Sequence, residues 1–138
     1  MASDNPQSPD SIGRDTPVER LMTRTAARIS PDATLIELAH KLSAVHAGAL
    51  VVGTTGEVSG VVSERDLTRA YGLNQNPDAL RVQDIASDEI IWCSPSDTAT
   101  EAARSMHEAN VRHLLVGDGS PTGLEGIISS RDLIGALI

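Results

Sequence analysis

An α/β fold built from two copies of one β-α-β-β-α unit is predicted for this chain by three observations. Gly60-Val61-Val62-Ser63-Glu64-Arg65-Asp66-Leu67 returns as Gly126-Ile127-Ile128-Ser129-Ser130-Arg131-Asp132-Leu133. The residues leading up to each copy correspond as well: Ser30-Pro31 with Ser94-Pro95, Thr34 with Thr98, Glu37 with Glu101, Ala39 with Ala103, and Leu50-x-Val52-Gly53 with Leu114-x-Val116-Gly117, all 64 residues apart. Within each copy, helical spacing and short apolar runs follow in one order. After Gly53 the offset grows to 66, because Gly117 to Gly126 is two residues longer than Gly53 to Gly60. The length change falls in a turn, where structural repeats tolerate it.

Each copy opens on a short helical turn, Pro17-Val18-Glu19-Arg20-Leu21-Met22 and Arg81-Val82-Gln83-Asp84-Ile85-Ala86, before a weak first strand near Ala26 to Ile29 and Ile90 to Cys93. Thr34 then starts a helix with Leu35, Leu38, Ala39, Leu42 and Val45 on one face, and Thr34-x-x-Glu37 has capping-box spacing. Thr98-x-x-Glu101 repeats that start, above a smaller stripe of Ala99, Ala102, Ala103, Met106 and Ala109 that lets its helix approach a neighbour closely. Strands at Ala49 to Val52 and Val58 to Val62 are joined by the turn sequence Gly53-Thr54-Thr55-Gly56, with counterparts at Leu114 to Val116 and Leu124 to Ile128. A second helix begins at Ser63 or Ser129 and carries Leu67 and Ala70, or Leu133, Ala136 and Leu137.

Residues 1–16, rich in Ser, Asp, Pro and Asn, read as a disordered leader outside the fold. The first repeat spans 17–72, a linker with Asn74-Gln75-Asn76-Pro77 spans 73–80, and the second repeat spans 81–138.

Composition narrows the function classes. A content of 40% hydrophobic residues in 138 suits two halves, each too small to bury a good core alone. Phe is absent and Trp92 and Tyr71 are the only aromatics, so stacking of nucleic-acid bases on aromatic platforms is not expected. A net charge of −8 argues against a nucleic-acid or anionic-membrane surface, which rewards clustered Lys and Arg. Cys93 is the sole cysteine, so no intramolecular disulfide forms, and neither a signal peptide nor a membrane-spanning apolar run is present. The expected location is the cytoplasm.

In their order, and twice over, Leu21-Met22-Thr23, Ser30-Pro31-x-x-Thr34-Leu35-x-Glu37, Val111-Arg112-His113-Leu114-x-Val116 and the two Gly-hydrophobic-hydrophobic-Ser-x-x-Asp-Leu segments resemble the cystathionine β-synthase (CBS) domain, paired as a Bateman module. The resemblance covers nearly everything from Val18 to Ile138. It implies two domains related by a pseudo-twofold axis, with two equivalent clefts between their sheets. It also implies an adenosine-containing ligand (AMP, ADP, ATP or S-adenosylmethionine) and a regulatory role. On that basis Asp66 and Asp132 hold ribose, Ser63 and Ser129 lie beside ribose or phosphate, and the backbone of Thr25, Ala26 and Ala27, with that of Asp88 to Ile90, reads the adenine edge.

The residues themselves support two readings of the Ser-x-x-Asp pairs. A helix that starts directly after a strand presents free amides and the positive end of its dipole, which favours phosphate, while a carboxylate there accepts ribose hydroxyls. The same spacing is a capping arrangement, stabilising a helix by about 1 kcal/mol with no ligand at all. The two halves also differ. Val111-Arg112-His113-Leu114 aligns with Ala47-Gly48-Ala49-Leu50, so one side carries two cationic donors and the other none. The resemblance sends Arg112 and His113 to the phosphate held at Ser63 and Asp66; a surface salt bridge is the competing reading of Arg112. Arg65 and Arg131, each just before an aspartate, reach either phosphate or a neighbouring carboxylate. The histidines lack the i, i+4 spacing of a metal pair, so no metal site is expected.

No nucleophile, base and orienting group converge, and the two repeats use the whole chain. The reading is therefore a free-standing, non-enzymatic module. It senses an adenine nucleotide or S-adenosylmethionine and acts on an unknown effector protein. The apolar end Leu133-Ile134-Gly135-Ala136-Leu137-Ile138 points to a homodimer, or else to completion of the internal core. The competing classes, in order, are a ligand-free structural dimerisation or docking module, a magnesium sensor and an enzyme.

Overall fold

The computed structural model describes residues 11–138. It is an α/β fold with two sheets. The strands are β1 (Thr23–Arg24), β2 (Arg28–Ile29), β3 (Ala49–Val52), β4 (Gly60–Ser63), β5 (Trp92–Cys93), β6 (His113–Gly117) and β7 (Leu124–Ser129). The helices are α1 (Leu35–Val45), α2 (Glu64–Leu73), α3 (Val82–Ile85), α4 (Ala99–Ala109) and α5 (Ser130–Leu137).

The three-stranded sheet runs β2-β3-β4 and the four-stranded sheet runs β1-β7-β6-β5. In each, a two-residue strand lies parallel to the first strand of a hairpin, Arg28 opposite Val51 and Trp92 opposite Leu115. The hairpins are antiparallel, with Leu50 opposite Val62 and Leu114 opposite Ile128. β4 starts at Gly60 rather than at the expected Val58. A turn from Thr54 to Glu57 and the bond from the Ser59 amide to the Val52 carbonyl occupy the residues before it.

The described residues divide into two compact units, Ala26–Ile90 and Ile91–Ile138 joined by residues 11–25. Each sequence repeat thus gives its opening segment to the unit that holds the other repeat's hairpin. The Val18 and Glu19 amides donate to Asp97 and Pro95, while those of Val82 and Gln83 donate to Ala33 and Pro31. β1 pairs with β7, Thr23 opposite Ile127, and the counterpart of that pairing is a single bridge between Ser87 and Val61.

Order begins earlier than Pro17. Thr16 is buried, its carbonyl accepts from Ala99 N–H at 3.0 Å, and the Arg14 carbonyl accepts from Thr100 N–H at 3.1 Å. These bonds satisfy amides at the open N-terminus of α4. The remainder of the expected leader, residues 1–10, lies outside the described residues.

Helical spacing placed the buried stripes correctly at their centres and too widely at their edges. Leu35, Leu38 and Leu42 of α1, and Ala99, Ala102 and Met106 of α4, are buried, whereas Ala39, Val45 and Leu137 are exposed. At 3.6 residues per turn these three positions fall on the stripe's rim. The alanines of α4 leave room that Val18, wholly buried, helps to fill, with Leu21, Met22 and Ile91 around it.

Candidate functional site

α2 and α5 each begin directly on the last residue of a hairpin strand, so their N-termini open at one end of a sheet. Ser63 caps α2: its Oγ accepts from the Asp66 amide at 3.1 Å and donates to Asp66 Oδ2 at 2.9 Å, while the Ser63 amide donates to the same Oδ2 at 2.8 Å. Ser129 and Asp132 repeat the box on α5, at 3.1 and 2.8 Å. All four residues are half-buried.

The first helical amides are also bonded. Glu64 N–H donates to the Gly48 carbonyl at 2.9 Å and Ser130 N–H to the Arg112 carbonyl at 2.8 Å. That leaves the second amide of each helix, on Arg65 and Arg131, with no intrahelical carbonyl to reach. The free amides expected at these helix starts are thus those of Arg65 and Arg131, whose side chains are exposed; the Gly48 and Arg112 carbonyls beside them were not expected. The strand-to-helix junction at offset 66 was the signal that marked both amides.

Register brings the other expected residues to the same end of each sheet. Ala49 lies opposite Ser63, and the Val51 amide donates to the Ala27 carbonyl at 3.0 Å. Ala26 and Ala27 therefore lie across one strand from the α2 N-terminus, with the small Gly48 and Ala49 between. In the other unit the Leu115 amide donates to Ile91, which makes 89–91 the counterpart of 25–27, one residue beyond the expected Asp88 to Ile90. Arg112 and His113 occupy the places of Gly48 and Ala49 there, His113 opposite Ser129. Thus Ala26, Ala27, Ser63, Arg65 and Asp66 share one unit, and Arg112, His113, Ser129, Arg131 and Asp132 share the other.

Thr25, the last residue before the Ala26–Ile90 unit, is exposed and adopts φ +54°. For a β-branched residue this left-handed geometry is a true outlier, of the kind that marks strained functional backbone.

The chemistry of this end of the sheet is that of hydrogen bonding. Asp66 Oδ2 is committed to the cap, which leaves Oδ1 to accept, and the Arg65 amide is placed to donate. Among the described residues no group of three or more His, Cys, Asp or Glu is placed to hold a metal. Cys93 is buried, and that burial, with the Asp97 carboxylate second, pushes its thiol up to about 11.

A repeated α/β unit in which a serine-aspartate box opens the last helix is the arrangement that the CBS domain model matches, over residues 18–73 and again over 82–138. The chain belongs to the CBS domain family.

Among curated relatives it is 29% identical over 120 residues to the CBS domain-containing protein YhcV of Bacillus subtilis, covering 84% of this chain and 81% of that one. It is 28% identical over 123 residues to an uncharacterized protein of Methanopyrus kandleri, spanning 88% of this chain but only 62% of that relative. Among solved structures, a CBS-domain containing protein of Agrobacterium tumefaciens superposes with a TM-score of 0.79 at 29% identity, over 90% of this chain and 95% of that one. The CBS domain pair of protein MJ0100, solved in complex with 5'-methylthioadenosine and S-adenosyl-L-methionine, has a TM-score of 0.75 at 19% identity, over 89% and 94%. Among the described residues no helix is long and apolar enough to cross a membrane.

Proposed function

We propose that this CBS pair is a regulatory module that binds an adenosine-containing ligand, an adenine nucleotide or S-adenosylmethionine, and through it modulates a partner protein as a homodimer. The observation that carries the reading is the convergence of the Ala26–Ala27 backbone, the small Gly48 and Ala49, and the Ser63–Asp66 box at one end of one sheet. A base lying along the first and a ribose at the last would be one strand apart in the same sheet. The cap and the ligand roles are compatible, since capping uses Asp66 Oδ2 and leaves Oδ1 for a ribose hydroxyl. The adenosyl ligands of the MJ0100 pair, a structure of the same fold, support this ligand class.

Arg112 and His113 would favour ligands that carry phosphate, Arg112 by forking two bonds to its oxygens. The ligand acts on its partner only through its differential affinity for two states of the module. The second reading is a ligand-free docking module. It is favoured by the completeness of both capping boxes, in which Ser63, Asp66, Ser129 and Asp132 all hold partners without any ligand.

Calorimetric titration with AMP, ADP, ATP and S-adenosylmethionine separates the two. Saturable binding that is lost in Asp66→Ala and kept in Asp132→Ala supports the sensor and places its phosphate-ready site at α2. A folded wild-type protein that binds none of the four is the docking module.

A further inference from the structure

Outside glycine, left-handed backbone follows the sequence repeat with one exception. His46 and Asn110, 64 residues apart, take φ +52° and +55° as they end α1 and α4. Among the described residues the third such position is Thr25 at φ +54°, and its counterpart Glu89 does not share it. A helix end accounts for the first two. Thr25 is exposed between β1, which pairs with β7, and the residues that lead into β2, where a β-branched side chain is poorly suited to that conformation.

The left-handed residue sets the direction of the peptides that follow it. Among the described residues nothing bonds the Ala26 amide, the Ala26 carbonyl or the Ala27 amide, and both alanines are half-buried. Backbone groups taken from water are nearly always paired, so this edge is one that a ligand can complete. Adenine carries an amino donor beside a ring-nitrogen acceptor, the complement of an open carbonyl and amide on one stretch of chain. The counterpart edge differs. Its Ile90 backbone is open too, but Ile90 and Ile91 stand where the first edge has Ala26 and Ala27, and the Glu89 amide is tied to Ser87 Oγ at 3.2 Å.

We propose that Thr25 is a positioning residue whose left-handed backbone presets the Ala26–Ala27 edge for the base, so that each chain takes one adenosyl ligand, at this edge and not at 89–91. This rests on the ligand reading above and adds which edge holds the base. A site already in its competent conformation binds without the loss that a partly populated one suffers.

Calorimetric titration of the full chain with AMP, ADP, ATP and S-adenosylmethionine, on wild type and three variants, tests it. The wild type should bind one equivalent per chain. Thr25→Asn, which favours the left-handed conformation, should bind at least as tightly. Thr25→Pro fixes φ near about −65° and should weaken binding by about tenfold or more. The extended Arg24 before it suits a proline, and the Thr25 amide holds no bond among the described residues. Ala26→Ile gives this edge the side chain of its counterpart and should also lose binding, which keeps the test open if the proline variant does not fold. A merely structural Thr25 would lower the melting temperature of Thr25→Pro and leave its affinity unchanged. A folded wild type that binds none of the four overturns the ligand reading and this inference with it. Two equivalents per chain, or wild-type affinity in folded Thr25→Pro or Ala26→Ile, overturns this inference alone.

Discussion

The carbonyl oxygen of Ser87 stands 2.5 Å from the point that a Cβ on Gly60 would occupy, and the carbonyl of Thr23 stands at the same distance from Gly126. The glycine that opens each Gly-hydrophobic-hydrophobic-Ser segment is thus the place where the opening segment of the other repeat lies flat against the hairpin. Thr23 and Ser87 are themselves 64 residues apart, so the exchange follows the repeat.

Gly60→Ala and Gly126→Ala are each expected to destabilise the protein by about 1–3 kcal/mol, because the obstructing atom is backbone and cannot swing aside. Gly135→Ala is the control. Its Cβ would meet nothing within 4 Å in the exposed middle of α5, so it should stabilise by roughly 0.5–1 kcal/mol. Urea denaturation of the three variants checks the signs.

Most of the fold was legible because the chain states it twice. Capping boxes at Thr34, Ser63, Thr98 and Ser129, the leucines of α1 and both hairpins follow from spacing alone. The assignment of Val18 and Val82 to units other than those of their own repeats was not legible, since nothing local in a short helical turn says which hairpin it joins. β1 escaped notice for a related reason: two exposed residues carry no alternation. At the candidate site the serines and aspartates were legible as a motif. So were the free amides at the helix starts, but not the Gly48 and Arg112 carbonyls that accept the first of them, because a backbone acceptor leaves no mark on the sequence.

Thr25 stores strain that substitution should release. A β-branched side chain in the left-handed region costs about 1–2 kcal/mol, and Asn tolerates that region far better. Thr25→Asn is expected to raise the melting temperature of the ligand-free protein. If this backbone reads a base, the same change alters the ligand-induced shift, which the titrations above would register. An unchanged or lower melting temperature in Thr25→Asn would show that the φ of +54° is not strained in context.

The capping carboxylates should make stability fall with acid in a definite window. Glu37 and Glu101 are held below their ordinary 4.5, first by the amides of Thr34 and Thr98 and then by their hydroxyls. Asp118 is held below 3.8 by the Ser120 hydroxyl and amide. A carboxylate whose folded pKa is depressed contributes fully above its unfolded value and loses that contribution as pH falls through the folded one. Denaturation midpoints measured from pH 7 down to about 3 should therefore hold until near the ordinary carboxylate values and then decline. A Glu37→Gln, Glu101→Gln double variant should start lower at pH 7 and decline less steeply.

Cys93 gives a reporter of opening within the unit it belongs to. Only the thiolate attacks a disulfide reagent, and with the thiol pushed up to about 11 by burial, roughly one molecule in a thousand carries it at pH 8. The sulfur is also shielded, so labelling must wait for local or global unfolding. A chromogenic disulfide reagent should label the native protein slowly and the denatured protein at once. Gly126 lies in the same sheet as Cys93, two strands away through β6, whereas Gly60 belongs to the other sheet. Gly126→Ala should therefore accelerate labelling more than Gly60→Ala does at matched overall stability. Equal acceleration would mean that the thiol is reached only when the whole chain unfolds, and prompt labelling of the wild type would mean that the β5 edge opens on its own.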